Sequence, residues 1–184
     1  MLVLASKSPR RQQILRDAGI PFVLRAADVV EERRPREPPV NYVRRLAEEK
    51  AFAVRLDSGE IVLGADTVVV VDGQVLEKPR DGADAMRMLA LLSGREHEVI
   101  TGICLRSETR KIVDTAITRV RFVALTAEEL EAYAGSGEPM DKAGAYAIQG
   151  LASKFIDRIE GDYFNVVGLP VAMVYRHFKA ILLN

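Results

Sequence analysis

Apolar and polar residues alternate along this chain in two rhythms, one of period two and one near 3.6, and their order predicts a mixed α/β protein. Leu2 to Ala5 is a short apolar run of the kind a buried strand needs. A helix follows, because serine suits the N-cap at Ser8, proline suits the first helical position at Pro9, and Gly19 stops it. Ile14, Leu15 and Ala18 form its inward side. Phe22 to Leu24 reads as a second strand. Glu31 to Pro39 carries three prolines and must be a loop. From Val40 to Arg55, Val43, Leu46, Ala47, Ala51 and Val54 keep helical spacing and make one apolar stripe.

The middle of the chain changes rhythm. Ile61 to Leu76 holds two β-branched runs around Asp72-Gly73, the pair a two-residue type I′ hairpin turn demands. Asp81 caps a helix that carries Ala85, Met86, Leu89 and Leu92 and ends at Ser93-Gly94. Val99 to Leu105 and Ile112 to Val123 predict a second antiparallel pair. Thr126 with Glu129 is a capping box for a short helix that Gly135 closes. Phe155 to Ile159 is another strand, and Pro170 starts a last helix through Val171, Val174, Tyr175, Phe178 and Leu182. Hairpins interspersed with helices predict a mixed, twisted sheet flanked by helices within one domain spanning residues 1–184.

Composition narrows the function classes. The 184 residues are 48% apolar, and 26 basic residues balance 26 acidic ones, the profile of a globular protein. No run of about 18 apolar residues exists, so no membrane span is expected. Zero net charge argues against a nucleic-acid polymer as partner. The single cysteine, Cys104, cannot form an internal disulfide, which fits a reducing cytoplasm. His97 and His177 have no second ligand at zinc spacing.

Two places break local rules. Arg10 and Arg11 stand at the start of the first helix, where the helix dipole disfavours cations by a few tenths to about 1 kcal/mol each. A bound anion would resolve the conflict, cradled by the helix N–H groups, both guanidinium groups, Ser6 and Ser8; two solvated arginines are the alternative. Asp66 interrupts the apolar run from Ile61 to Val71, and a buried carboxylate is costly without a cation or metal beside it. The Asp72-Gly73 turn would pair Thr67 with Lys78, bringing Lys78 within a residue of Asp66. Asp66 and Lys78 are then either a general base or Mg²⁺ ligand beside a phosphate-binding lysine, or a structural ion pair. To aim Asp66 toward Lys78, the strand must end near Gly64-Ala65 or bulge. Gly135, Gly137, Gly144 and Gly150 mark a polar segment that contains Gln149 and suits either close approach to a ligand or a surface crossover.

Read in order, S-x-S-P-R-R at Ser6 to Arg11, G-A-D-T-V at Gly64 to Val68 and E-K-P at Glu77 to Pro79 form one pattern. It continues through Ser93-Gly94, Thr101-Gly102, E-P-M-D-K-A-G-A-Y-A-I-Q-G at Glu138 to Gly150 and N-V-V-G-L-P at Asn165 to Pro170. This series resembles the Maf family of nucleoside triphosphate pyrophosphatases, first named as septum-formation inhibitors, over essentially the whole chain. The resemblance implies a fold similar to the inosine-triphosphate pyrophosphatases, a cytoplasmic location and a divalent metal, Mg²⁺ or Mn²⁺. It makes Asp66 the proton acceptor and a metal ligand, with Glu31 as second metal contact, although Glu32 is adjacent. Ser8, Arg11, Lys50 and Lys78 match its phosphate contacts, and Arg10, Thr67 and Gln149 its substrate-choosing positions. One branch, acting on 7-methyl-GTP, has tryptophan, glutamine and glutamate at those three positions, so this chain resembles the dTTP/UTP branch. A homodimer is compatible with all of this. The rival expectation is a non-catalytic nucleotide-binding regulator of cell division.

Overall fold

A computed structural model describes residues 1–183 and contains a seven-stranded sheet with six α-helices. The elements are β1 (Leu2–Leu4), α1 (Pro9–Asp17), β2 (Phe22–Leu24), α2 (Pro39–Ala53), β3 (Ile61–Val71), β4 (Gln74–Leu76), α3 (Gly82–Leu92), β5 (Glu96–Arg106), β6 (Lys111–Phe122), α4 (Ala127–Gly135), β7 (Ile156–Glu160), α5 (Tyr163–Val167) and α6 (Val171–Leu182). Strand order is β2-β1-β3-β5-β6-β7, with β4 paired to β3. The β1–β2 and β1–β3 ladders are parallel, whereas β3–β4 and β6–β7 are antiparallel, so the sheet is mixed as its hairpins required. Among the described residues no helix is long and apolar enough to cross a membrane.

The chain gathers into two compact units. One comprises Met1–Thr67, Thr101–Ala116 and the residues from Gly168 onward; the other comprises Val68–Ile100 and Ile117–Val167. In the first unit, Val3, Ala5, Ala47, Ala51, Val54, Val62 and Cys104 form a core cluster. Burial pushes the Cys104 thiol up to about 12, so this residue packs as a small apolar group. Helix α2 lies against two glycines of the sheet. A Cβ on Gly64 would sit 2.1 Å from the Ala47 carbonyl oxygen, and one on Gly102 would sit 2.4 Å from that of Val43. Only bare backbone at both positions lets α2 settle so deeply.

The second unit packs α3 and α4 with the far ends of the long strands. Its core holds Val69, Leu76, Leu89, Leu92, Phe122, Tyr133, Tyr146 and Phe155. Asp81 caps α3 by accepting from the Asp84 N–H, and the Thr126–Glu129 capping box forms as expected. The inward methionine of α3 is Met88 and not Met86, which is exposed, because the helix phase set by Ala85, Leu89 and Leu92 turns position 88 into the core. Ala18 is likewise exposed, since α1 already ends at Asp17. The segment after Gly135 is not open loop but three 3₁₀ turns at Glu138–Asp141, Ala143–Ala145 and Leu151–Phe155. Short turns of this kind carry no 3.6 rhythm, and α5 is too brief to show one.

His97 is buried in this unit, with its ring edge-on to Phe122 and Tyr146 at 5.1 and 5.4 Å. Its Nε2 lies 2.8 Å from the Tyr146 hydroxyl, while Nδ1 has no partner. Burial pushes its pKa down to about 4. The unfolded chain, at an ordinary value near 6.5, therefore takes up a proton first as the pH falls. The stability that neutral His97 secures is complete above about pH 6.5 and is lost toward pH 4, by roughly 3 kcal/mol over the window. Denaturant unfolding at several pH values should show this loss in the wild type and a flatter profile in His97→Gln; identical profiles would refute it.

Candidate active site

Three segments of the first unit converge on Asp66. Gly64 and Asp66 share a face of β3 by strand alternation, and that face receives α2. Helix α2 comes so near because of Gly64, and it carries Lys50 three residues beyond Ala47 on the same stripe. The Lys50 ammonium donates to Asp66 Oδ1 at 2.6 Å, and both side chains are buried. The ladder of the β3–β4 hairpin does start at Val71–Gln74, but it ends at Val69–Leu76. A cation beside Asp66 is thus Lys50 of α2. β3 does not stop at Gly64-Ala65 but runs on to Val71.

Glu31 arrives from the proline-rich loop. Arg45 of α2 holds the loop with a two-pronged bond to Glu37, 2.7 Å on each side, and with a bond to the Glu32 carbonyl at 3.0 Å. The Arg45 guanidinium keeps the Glu37 carboxyl down at about 2. With the loop pinned in this way, Glu31 Oε1 lies 2.6 Å from Lys50 Nζ. Glu31 thus brings its carboxylate to Lys50, while the Glu32 carbonyl accepts from Arg45. Burial pushes the Asp66 carboxyl above its usual range, opposed by the charges of Lys50 and Arg11, while the Glu31 charge adds to the rise.

Arg11 projects from α1 into the same unit and is itself buried. Its Nε donates to the Gly168 carbonyl at 2.9 Å, Nη1 to the Ala65 carbonyl at 2.8 Å and to Ser6 Oγ at 3.2 Å, and Nη2 to Thr67 Oγ1 at 3.0 Å. The Thr67 hydroxyl also shares a 2.9 Å bond with that of Thr101, which is fully buried. Arg11 therefore ties together the S-x-S-P-R-R, G-A-D-T and N-V-V-G-L-P segments. Arg11 is thus not the solvated arginine that one reading of the helix start allowed, because its head group is buried among fixed acceptors. Ser8 occupies the N-cap position, yet its hydroxyl makes no capping bond, and its N–H donates to Ser6 Oγ. Arg10 beside it is half-buried.

Of the residues that the motifs single out, Ser8, Arg10, Arg11, Glu31, Lys50, Asp66 and Thr67 lie in the first unit. Lys78 and Gln149 lie in the second, and both are exposed. Thr101 and the Gly168 carbonyl, which fix Thr67 and Arg11, were visible in the sequence only as parts of motifs. Lys50 had a plainer signal: a lysine on the apolar stripe of α2, where a charge is out of place.

Among the described residues no three His, Cys, Asp or Glu side chains converge in a form that could hold a metal ion. The carboxylate pair of Glu31 and Asp66 offers hard oxygen donors. Mg²⁺ commonly takes one or two carboxylates and completes its shell with phosphate oxygens and water, so this donor set fits such an ion.

Comparison with known proteins bears on what this arrangement is. A family model described as Maf-like protein matches residues 1–181. The chain belongs to the Maf family. Several relatives are named dTTP/UTP pyrophosphatase. That of Koribacter versatilis (strain Ellin345) is 53% identical over 97% of this chain and 93% of its own length. That of Citrifermentans bemidjiense is 50% identical over 98% of this chain and 95% of its own length. A HAM1 protein from Coxiella burnetii is 18% identical, with a TM-score of 0.42 over 66% of this chain and 72% of that one.

Proposed function

We propose that this protein hydrolyses dTTP and UTP to the monophosphate and pyrophosphate, in the cytoplasm and with a divalent metal. The hydrolytic reading rests on one observation, the buried Asp66 carboxylate held against Lys50 with Glu31 on the same ammonium. A module that only binds triphosphates needs cations, and a buried carboxylate would repel its ligand. The pyrimidine substrates come from the relatives' shared name and from Arg10, Thr67 and Gln149 in place of the 7-methyl-GTP pattern.

In the proposed reaction a water oxygen attacks the α-phosphorus, the bond from that phosphorus to the α–β bridging oxygen breaks, and pyrophosphate leaves with the bond pair. Asp66 accepts the water's proton; a carboxyl raised by burial is a stronger base than an exposed one. Phosphoryl transfer of this kind depends on positioning and charge neutralisation more than on covalent chemistry. Lys50, Arg10 and Arg11 supply positive charge, and Lys78 carries the phosphate role its motif implies. A divalent ion held by Glu31 and Asp66 would polarise phosphate oxygens and add positive charge.

The test is product analysis with dTTP, UTP and 7-methyl-GTP in the presence of Mg²⁺ or Mn²⁺. One pyrophosphate per monophosphate, with dTTP and UTP preferred, is the expected result. Diphosphate with orthophosphate as first products would overturn the assignment, and tight binding without turnover would favour the regulator.

A further inference from the structure

The turn that displays Gln149 is gripped at both ends by a pair of side chains with no assigned role. The Gly150 N–H donates to the Ala147 carbonyl at 3.1 Å, closing a four-residue turn with Gln149 third and exposed. At its entrance the Ala147 N–H donates to the Tyr133 hydroxyl at 3.2 Å. Just past its exit the Leu151 N–H donates to Glu138 Oε2 at 3.1 Å. The two anchors are themselves joined, since the Tyr133 hydroxyl donates to Glu138 Oε1 at 2.8 Å.

The brace is rigid where it is rooted. Tyr133 sits buried in the last turn of α4, with its ring edge-on to Phe155 at 5.6 Å. Glu138 opens the first 3₁₀ turn, where its carbonyl accepts from Lys142 Nζ at 2.6 Å. Its carboxylate lies flat on the turn, for a Cβ on Gly150 would come within 2.3 Å of Oε2. A side chain at that position would have to displace the Glu138 carboxylate. One residue before the turn, Tyr146 is held by His97. A tyrosine hydroxyl donates once and accepts, and a carboxylate only accepts, so these two groups satisfy both backbone donors with no group left over.

We infer that Tyr133 and Glu138 are positioning residues for substrate choice, holding the 147–150 turn so that Gln149 meets the base in one geometry. This rests on the reading of Gln149 as the residue that recognises the pyrimidine. Preorganisation of this kind acts on substrate binding and not on the phosphoryl step.

A double-mutant cycle on the full-length enzyme, with kcat and KM measured for UTP, tests it. Tyr133→Phe keeps the ring and removes the hydroxyl. It should raise KM by about 5- to 10-fold with kcat near normal, and Glu138→Gln should do the same. Gln149→Ala should lower kcat/KM by at least about 10-fold, and adding Tyr133→Phe to it should cost almost nothing more. Losses that multiply would overturn the inference while leaving the role of Gln149 intact, because the brace would then act elsewhere. A silent Gln149→Ala would overturn the base-reading role, and with it the function assigned to the brace. If Tyr133→Phe does not fold, the cycle is run with Glu138→Gln and judged by the same outcomes.

Discussion

Asp66→Asn is expected to lower pyrophosphate release from UTP by at least about 100-fold, the scale of losing a general base. Asparagine has nearly the same volume and can still accept one bond from Lys50, so the packing of α2 on β3 survives. What disappears is the negative charge and the ability to take a proton. Removing one partner of a buried ion pair can cost 3–5 kcal/mol when the other charge is stranded. Here Lys50 keeps Glu31 at 2.6 Å, and the burial that raises the Asp66 carboxyl shows that its charged form is itself disfavoured. A fall of only a few degrees in Tm is therefore expected beside the large loss of turnover. Near-normal kcat in a folded Asp66→Asn protein would make Asp66 a structural ion-pair member and end the mechanism proposed above.

Arg11→Ala is expected to lower the Tm of the ligand-free protein by roughly 10 °C. Two effects compete at this position. Removing a cation from the helix start gains at most about 1 kcal/mol. Against that, the Gly168 and Ala65 carbonyls and the Ser6 and Thr67 hydroxyls all lose a donor. Buried acceptors left short cost about 1–3 kcal/mol each, and a total near 3–5 kcal/mol corresponds to about 10 °C in a chain of this size. The hydrogen bonds win. Arg11→Lys should recover little of the loss, because a single ammonium cannot replace a planar fork that serves four acceptors. Arg10→Ala should raise the KM for UTP. Thermal unfolding of the two Arg11 variants without nucleotide decides the matter, and an unshifted Tm for Arg11→Ala would refute the structural role.

Most of the secondary structure could be read from local pattern. Caps at Asp81 and Thr126, the Asp72-Gly73 turn and the 3.6 rhythm of α2 each depend on neighbours within a few positions, and each stands where that reading puts it. Sequence alone also marked Asp66 as anomalous, because a carboxylate in a run of β-branched residues must have a partner. It could not name that partner. Lys50 is 16 residues away, and Arg11 reaches Ala65 across 54 residues and Gly168 across 157. No periodic signal links positions that far apart. The Lys50–Asp66 pairing depends on how closely α2 can approach the sheet, and the approach is set by two missing side chains, at Gly64 and Gly102. The hairpin register pointed to Lys78, and helix packing brings Lys50 to Asp66 as well, which no local pattern announces. The fate of the Arg11 charge was decided in the same way. A helix dipole is a local property and disfavours a cation at that position, but the fold surrounds the guanidinium with carbonyl and hydroxyl oxygens from distant segments, and that surrounding determines what the residue does.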